Sequence, residues 1–279
     1  MSFKNAIAYK GGNQYTVHVT KLLMDKFYGW LNWREDGMDS ILDIGSGPGN
    51  TVRESIYPLL PPNFTKLVVS DISPQMVELQ KKEFNNYNRV SCEVLDIGVD
   101  INEDLRSKLG TFDHITSFFC LMWVADQQKA MDNIYNLLKD RGDCLLVIVA
   151  DTPILDALLS VCEKSKWKEY FTGWENYYPY PYTSLHEAEA KGQEFMRKAG
   201  FVETKADFLH YPFLFANDLE RENFLRSMPN GIIKEVSAEL EEEIFQERLK
   251  FFDKFNLGNY RSNAGRKSVS SCSSANKPQ

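Results

Sequence analysis

The sequence predicts an α/β fold in which a mostly parallel sheet is covered by helices on both faces. Short, continuous apolar runs alternate with segments of helical periodicity, and uninterrupted apolar strands are typical of sheets buried on both sides. The chain has 279 residues and is 43% hydrophobic, which is enough for one sizeable core. We find no internal repeat, so the pattern favours a single domain.

Five apolar runs are predicted to be strands, and a sixth, longer strand follows later in the chain. The runs are SILDIG at 40–45, KLVVSD at 66–71, VSCEVL at 90–95, FDHITSFF at 112–119, DCLLVIVA at 143–150, and the segment 201–215.

Amphipathic segments between these runs are predicted to be helices. They are 14–33, 50–60, the segments that start at Ser73 and at Asp126, 183–199 and 237–256. We expect one domain over residues 1–257, in which insertions at about 151–182 and 216–257 form a helical, aromatic-rich cap. Residues 258–279 are Ser-rich with almost nothing apolar, so we expect them to be disordered.

Composition excludes several classes of partner. The net charge of −7 disfavours non-specific nucleic-acid binding. Five cysteines without a C-x-x-C pair suit reduced thiols in the cytoplasm, and four scattered histidines give no metal-binding spacing. The longest apolar run, 144–150, is too short to cross a membrane, and the N-terminus lacks a signal-peptide pattern. We therefore expect a cytoplasmic protein without metal, nucleic acid or membrane partners, whose oligomeric state the sequence leaves open.

A glycine-rich loop follows the first predicted strand. Gly45, Gly47 and Gly49 give the spacing G-x-G-x-G, whereas the dinucleotide fingerprint G-x-G-x-x-G would need a glycine at Asn50. The phosphate-binding P-loop pattern is absent as well. Asp43, at the end of the strand, would repel a pyrophosphate, so the loop favours a cationic ligand without phosphates.

Two further acidic residues follow the next two strands. Asp71, with Ile72 beside it, stands where a carboxylate accepts hydrogen bonds from ribose hydroxyls. Asp96 and Ile97 could hold an adenine, with the carboxylate on its amine and the chain against its ring. Each of these acids alone could simply cap a turn. Together with the loop they describe a cationic nucleoside, and S-adenosylmethionine, with its sulfonium and ammonium groups, fits that description.

The acceptor side is predicted at the end of the fourth strand. Ser117 is expected at the cofactor, and the following residues through Trp123 are expected to face the methyl group, with the aromatic insertion as a lid. No general base stands out there. A carboxylate acceptor needs none, because its pKa of about 4–5 leaves it ionised at neutral pH. A phenol acceptor would need a base, for which His18 is the only plausible supplier.

Several longer motifs resemble insect juvenile hormone acid O-methyltransferases. They are ILDIGSGPGNT (41–51), VSDISPQMVE (69–78), VLDIG (94–98), FDHITSFFCLMWV (112–124) and NIYNLLKDRGDCLL (133–146). The resemblance runs from about Tyr9 to Phe201. It implies a Rossmann-like class I methyltransferase fold with S-adenosylmethionine as cofactor.

The resemblance also implies a reaction and an acceptor site. The family methylates the carboxylate of juvenile hormone acid or farnesoic acid in juvenile hormone biosynthesis. Gln14 and Trp123 match the glutamine and tryptophan that orient this carboxylate in the family. His18, Phe118 and Met122 are the other residues that we expect to contact the apolar acid.

Two departures from the family pattern leave alternatives open. Met122 stands where the family usually has a histidine, and no apolar run after Leu257 supplies the family's last strand. We therefore expect that strand either to be supplied differently or to be missing, in which case a sheet edge would be left open. The alternatives are a methyltransferase for another small apolar acceptor, or a non-catalytic paralogue that binds hormone acid.

Overall fold

The structure is a computed structural model that describes most of the chain. The described residues are 6–151, 153–162, 164, 166–171, 185–211, 215, 217–228, 232, 236–254 and 268–278. Within this part of the chain, no helix is both long enough and apolar enough to span a membrane.

A seven-stranded sheet forms the centre of the molecule, in the order β3-β2-β1-β4-β5-β7-β6. The strands are β1 Ser40–Ile44, β2 Lys66–Asp71, β3 Val90–Val94, β4 Phe112–Phe118, β5 Leu138–Asp151, β6 Glu203–Tyr211 and β7 Ser268–Asn276. The first five strands pair in parallel, and β7 is antiparallel to both of its neighbours. The predicted fold class, a mostly parallel α/β sheet, is confirmed.

Nine α-helices lie in the described part of the chain. They are α1 Ala6–Gly12, α2 Gln14–Phe27, α3 Pro74–Glu83, α4 Glu103–Leu109, α5 Gln127–Leu137, α6 Pro153–Cys162, α7 Leu185–Ala199, α8 Asp218–Ser227 and α9 Ala238–Lys254. The predicted helix at 50–60 is instead a π-helical turn, Val52–Ile56, followed by a 3₁₀ turn, Tyr57–Leu59. Pro58 has no N–H to continue a regular helical ladder, which accounts for the difference.

The sheet is buried on both faces, and successive strand residues serve opposite layers. Ile41 packs into the cluster that contains residues of α2 and α8, whereas Leu42 packs into the cluster formed with α5 and α7. Leu145 and Leu146 of β5 divide in the same way. This two-sided burial explains why the strands are continuous apolar runs in the sequence.

A third apolar cluster lies in the region predicted as the cap. Leu158 and Val161 of α6 pack there with Ile244 of α9, and Trp167 joins them. Part of the predicted aromatic lid, residues 172–182, falls outside the described residues. The division of the chain into a domain with two cap insertions stays a prediction.

The predicted disorder of residues 258–279 needs correction over 268–276, whereas 258–267 lie outside the described residues. Of the two alternatives left open for the last strand, a strand supplied differently is the one observed. Ser268–Asn276 forms β7 and lies between β5 and β6, paired with both. Cys272, for example, is in register with Val147 on one side and Asp207 on the other. The Ser-rich sequence hides this strand, because a ladder of backbone hydrogen bonds does not require an apolar side-chain pattern.

Candidate functional site

A cavity of about 270 Å³ opens at the carboxyl edge of the parallel strands. The strands β1 to β4 end at this edge, which is where open α/β sheets bind ligands. Eight of the residues predicted for the site line this one cavity. They are Gly45, Gly47, Asp71, Ile72, Asp96, Ile97, Phe118 and Trp123.

The glycine loop forms one wall of the cavity, and its backbone needs glycine. Gly45 and Gly47 have φ angles of 73° and 57°, in the left-handed region that other residues rarely adopt. A Cβ atom added to Gly45 would lie 2.1 Å from the Sγ of Cys120. At Gly47 it would lie 3.3 Å from the ring of Tyr9. The loop backbone is therefore in close contact with Cys120 and Tyr9, and this backbone also faces the cavity.

Asp71 lies at the end of β2, and its carboxylate places a negative charge at the cavity wall. Its Oδ2 accepts the N–H of Gly47 at 2.9 Å, and its Oδ1 accepts the N–H of Ser73 at 2.9 Å. Burial raises the pKa of Asp71, against the lowering effect of these two backbone donors. Each carboxylate oxygen keeps a lone pair for a ligand hydroxyl while the backbone bonds fix the carboxylate in place.

Asp96 occupies the corresponding place beyond β3. Its Oδ1 accepts the N–H of Gly98 at 2.9 Å, which orients the carboxylate at the cavity wall. Ile72 and Ile97, beside the two acids, supply apolar surface to the same cavity. Carboxylates next to apolar side chains match the hydroxyls, amine and ring of a nucleoside.

The charges around the cavity suit a cationic ligand. Asp71, Asp96 and Asp126 line it, and its lining residues in the described part of the chain include no Lys or Arg. Phosphate groups need cationic or backbone donors, whereas sulfonium and ammonium groups are attracted by carboxylates. The residues present therefore fit S-adenosylmethionine.

Asp43, predicted to contact the cofactor, does not line this cavity. Its carboxylate accepts the hydroxyl groups of Ser46 and Thr116, both at 2.6 Å. Burial raises its pKa to about 6. The side chain borders a much smaller adjoining cavity of about 20 Å³. The hydrogen bonds of Asp43 to Ser46 and Thr116 join the loop to β4, and they place the carboxylate behind the loop.

Several predicted residues lie outside the cavity for different reasons. Ser117 is fully buried, and its hydroxyl donates to the carbonyl of Ile44, so it joins β4 to β1. Met122 is buried in the core, and Gly49 packs against Gln80 and Phe84 on α3 and just after it.

Gln14 and His18, the predicted acceptor residues of the N-terminal helix, are exposed on α2. Neither is among the residues that line the cavity in the described part of the chain. They are one helical turn apart and so share a face of α2. Their role in acceptor binding stays a prediction.

Several residues that line the cavity were not singled out from the sequence, including Tyr9, Phe119, Cys120 and Val124. Phe119, Cys120 and Val124 follow β4, and Tyr9 comes from α1. Phe119 has a φ of 57°, unusual for a phenylalanine. Burial raises the pKa of the Cys120 thiol and raises that of Tyr9 to about 12, so both side chains are protonated at neutral pH. Phe119 and Cys120 lie in the stretch from Ser117 to Trp123 that the sequence predicts to face the methyl group, whereas no local signal points to Tyr9.

Trp123 connects the cavity to the cap. It lines the cavity and also packs, partly buried, against the cap cluster formed around Leu158 and Ile244. A ligand extending from the cofactor edge toward the cap would therefore meet an aromatic wall at this residue.

Comparisons with known proteins agree with this site. A protein family described as "Methyltransferase domain" matches residues 42–144. The chain is 33% identical to juvenile hormone acid O-methyltransferase of Drosophila melanogaster, over 95% of this chain and 88% of that protein. It is 31% identical to the Bombyx mori protein of the same name, over 75% of this chain and 73% of that one.

A solved structure shares the fold. Phosphoethanolamine N-methyltransferase 2 of Haemonchus contortus, in complex with S-adenosyl-L-methionine, superposes with a TM-score of 0.56 at 19% identity. The match covers 100% of this chain and 58% of that chain.

Proposed function

The chain belongs to the juvenile hormone acid O-methyltransferase family of S-adenosylmethionine-dependent methyltransferases, and from this premise we propose that it esterifies an apolar isoprenoid acid. Juvenile hormone acid and farnesoic acid are the proposed acceptors. The observation that carries the proposal is the 33% identity to the Drosophila melanogaster relative over 95% of this chain. We propose a cytoplasmic location as well, with the cysteines reduced.

The cofactor residues follow from the cavity. S-adenosylmethionine supplies a methyl group on a positively charged sulfonium sulfur. Asp71 would hold the ribose hydroxyls and Asp96 the adenine amine, with Ile72 and Ile97 beside the ring. Gly45 and Gly47 would leave room for the methionine portion, because their backbone forms the wall without side chains. These assignments extend the observed lining to roles that the family's cofactor requires.

An acid acceptor suits the protonation states around the cavity. Tyr9 and Cys120 are protonated at neutral pH, so neither is available as a general base. A carboxylic acid with a pKa of about 4–5 arrives already ionised. The protein then has to hold one carboxylate oxygen in line with the methyl group and exclude water. We propose that Trp123, on the cavity wall, and Gln14, on α2, hold this carboxylate oxygen in place.

A phenol acceptor has less support. It would need a base, and the proposed supplier, His18, is exposed on α2 and does not line the cavity. Met122, which stands where the family usually has a histidine, is buried and does not line the described cavity.

Incubation with methyl-labelled S-adenosylmethionine and a panel of acids, phenols and amines tests the proposal. Label in the methyl esters of farnesoic-type acids supports it. Label in ethers or amines instead would disprove it, and acid binding without label would indicate a non-catalytic paralogue. Gln14→Ala is expected to reduce ester formation and leave cofactor affinity nearly intact. Lys21→Ala, at another exposed position of the same helix, is the control.

A further inference from the structure

Two asparagine side chains form a reciprocal pair behind the cofactor loop. The Nδ2 of Asn13 donates to the Oδ1 of Asn50 at 3.0 Å, and the Nδ2 of Asn50 donates to the Oδ1 of Asn13 at 3.0 Å. The side chains are buried, with 0% of Asn13 and 3% of Asn50 exposed. Two matched bonds constrain both the distance and the relative orientation of the two amides.

The pair joins two functional segments that are distant in the sequence. Asn50 directly follows Gly49, at the position where a dinucleotide fingerprint would carry its third glycine. Asn13 directly precedes α2 and is followed by Gln14. The last residue of the cofactor loop is thereby bonded to the residue that immediately precedes the helix that carries the proposed acceptor contact.

Asn13 also gives up its usual local role to make this pair. Asparagine at a helix N-cap normally accepts a hydrogen bond from a backbone N–H of the first turn. Here the side chain of Asn13 makes no such cap bond, although it occupies the N-cap of α2. The amide is directed to Asn50 instead.

The segment before Asn13 is held from both sides. The ring of Tyr9 lies against Gly47, and the Nζ of Lys10 lies 2.5 Å from an oxygen of Glu83 at the end of α3. On the other side, a Cβ added to Gly12 would lie 2.6 Å from the backbone nitrogen of Phe224 on α8. The end of α1 is therefore packed between the cofactor loop and a helix of the cap region.

We propose that the Asn13–Asn50 pair is a positioning device that couples cofactor occupancy to α2. A ligand that orders the glycine loop fixes Asn50, the paired amides fix Asn13, and Asn13 sets the start of α2. Gln14 is then positioned to contact the acceptor only when the cofactor loop is ordered. This last step rests on the proposed function, whereas the coupling from loop to helix does not.

Hydrogen–deuterium exchange with S-adenosylhomocysteine as the probe tests the coupling without turnover. In the wild type, the probe is expected to increase protection of the amides of α2. In Asn50→Ala and in Asn13→Ala, which remove the pair from either side, this gain on α2 is expected to fall by at least about half while the gain at the loop persists. Equal gains on α2 in wild type and both variants would overturn the proposal.

Ser55→Ala is the matched control for these variants. The hydroxyl of Ser55 donates to the carbonyl of Val17 at 2.9 Å, so it too is a buried bond between α2 and the segment after the loop. This variant is expected to keep the probe-induced protection of α2. If it loses that protection to the same extent as Asn50→Ala, the coupling does not run through the amide pair.

Kinetics with a farnesoic-type acid tests the consequence for the acceptor. Asn50→Ala is expected to raise the acceptor KM about tenfold and to change the cofactor Kd by less than about threefold. Ser55→Ala is expected to leave the acceptor KM unchanged. Unchanged acceptor KM in Asn50→Ala would show that the pair is merely structural. If the wild type makes no ester with any acid, the proposed function fails, and the exchange experiment still decides the coupling.

Discussion

The imidazole of His114 and the carboxylate of Asp143 are joined inside the sheet, with Nδ1 of the ring 2.6 Å from Oδ1 of the acid. The other ring nitrogen lies 2.8 Å from Asp39 Oδ1, and all three side chains are almost fully buried. The group lies near the amino ends of β1 and β4, at the edge opposite the cofactor cavity. Asp143 also accepts the N–H of Asn32, and Asp39 that of Arg34. The arrangement ties the segment before β1 to two central strands.

The buried group of His114, Asp143 and Asp39 makes the free energy of unfolding depend on pH. Burial lowers the pKa of His114, but the hydrogen bonds and charges of Asp143 and Asp39 outweigh it and leave the pKa raised. A histidine whose pKa is raised on folding stabilises the fold fully below its unfolded pKa of about 6.5, and this contribution is lost as pH rises through the folded pKa. His114→Phe is expected to cost about 3–5 kcal/mol at about pH 6, because it leaves two buried carboxylates without their partner.

Urea unfolding between about pH 6 and about pH 9 measures this effect. The difference in free energy of unfolding between wild type and His114→Phe should narrow as pH rises. His18→Gln, which replaces an exposed histidine, should show no such narrowing. A difference that stays constant across the range would mean that His114 is neutral in the folded protein.

Asp71 is expected to contribute substantially to cofactor affinity. Asp71→Ala removes a buried carboxylate from the cavity wall and the acceptor of the Gly47 N–H bond. Its loss should weaken S-adenosylmethionine binding by about 1–3 kcal/mol, as isothermal titration calorimetry would measure. Asp100→Ala changes the net charge equally, but at an exposed residue paired with Lys129, and should bind normally. Unchanged affinity in Asp71→Ala would remove this residue from the cofactor site.

Two glycine substitutions should have opposite effects on stability. Gly45→Ala forces a side chain into a left-handed backbone conformation and against Cys120, and should cost about 2–5 kcal/mol. Gly192 lies within α7, and an added Cβ there would meet nothing within 4 Å. Gly192→Ala should therefore stabilise the protein by about 0.5–1 kcal/mol. Thermal unfolding compares them, and a Gly45→Ala variant as stable as wild type would contradict the described packing.

The last strand should be essential to the sheet. A chain ending at residue 267 lacks β7, which leaves β5 and β6 without the strand that pairs with both. We expect this variant to aggregate, because it leaves one edge of β5 unpaired and β6 without its partner strand. A chain ending at Lys277 keeps β7 and should remain soluble, as sedimentation of expressed protein can measure. A soluble, cooperatively folding chain ending at 267 would show that β7 is dispensable.

The sequence predicts the parts of this fold that depend on local pattern. Buried strands such as β1 and β2 are continuous apolar runs, so their positions are readable from residues 40–45 and 66–71. The strand β7 has no such run, and its Ser-rich sequence is held between β5 and β6 by backbone pairing. Patterns of side chains cannot reveal a strand whose place is set by its two neighbours.

The residues of the site likewise divide into those that a local sequence pattern predicts and those that only tertiary packing places. Asp71 and Asp96 follow predicted strands, so the parallel topology alone brings them to one edge. Tyr9 reaches the cavity only through the packing of α1, a tertiary contact that no local motif encodes. Ser117 does not line the described cavity, because alternate residues of a strand point to opposite faces and its hydroxyl donates to the carbonyl of Ile44.

The position of β7 also has a consequence for protein synthesis. Strand β6 leaves the ribosome well before β7, yet β7 is the strand with which it pairs in the sheet. Until the last described strand has been translated, β6 has no native neighbour and the outer edge of β5 stays open. The nascent chain can assemble the cofactor-binding half early, but sheet closure is a late event. We therefore expect molecular chaperones that bind exposed strands to act on this protein during that interval.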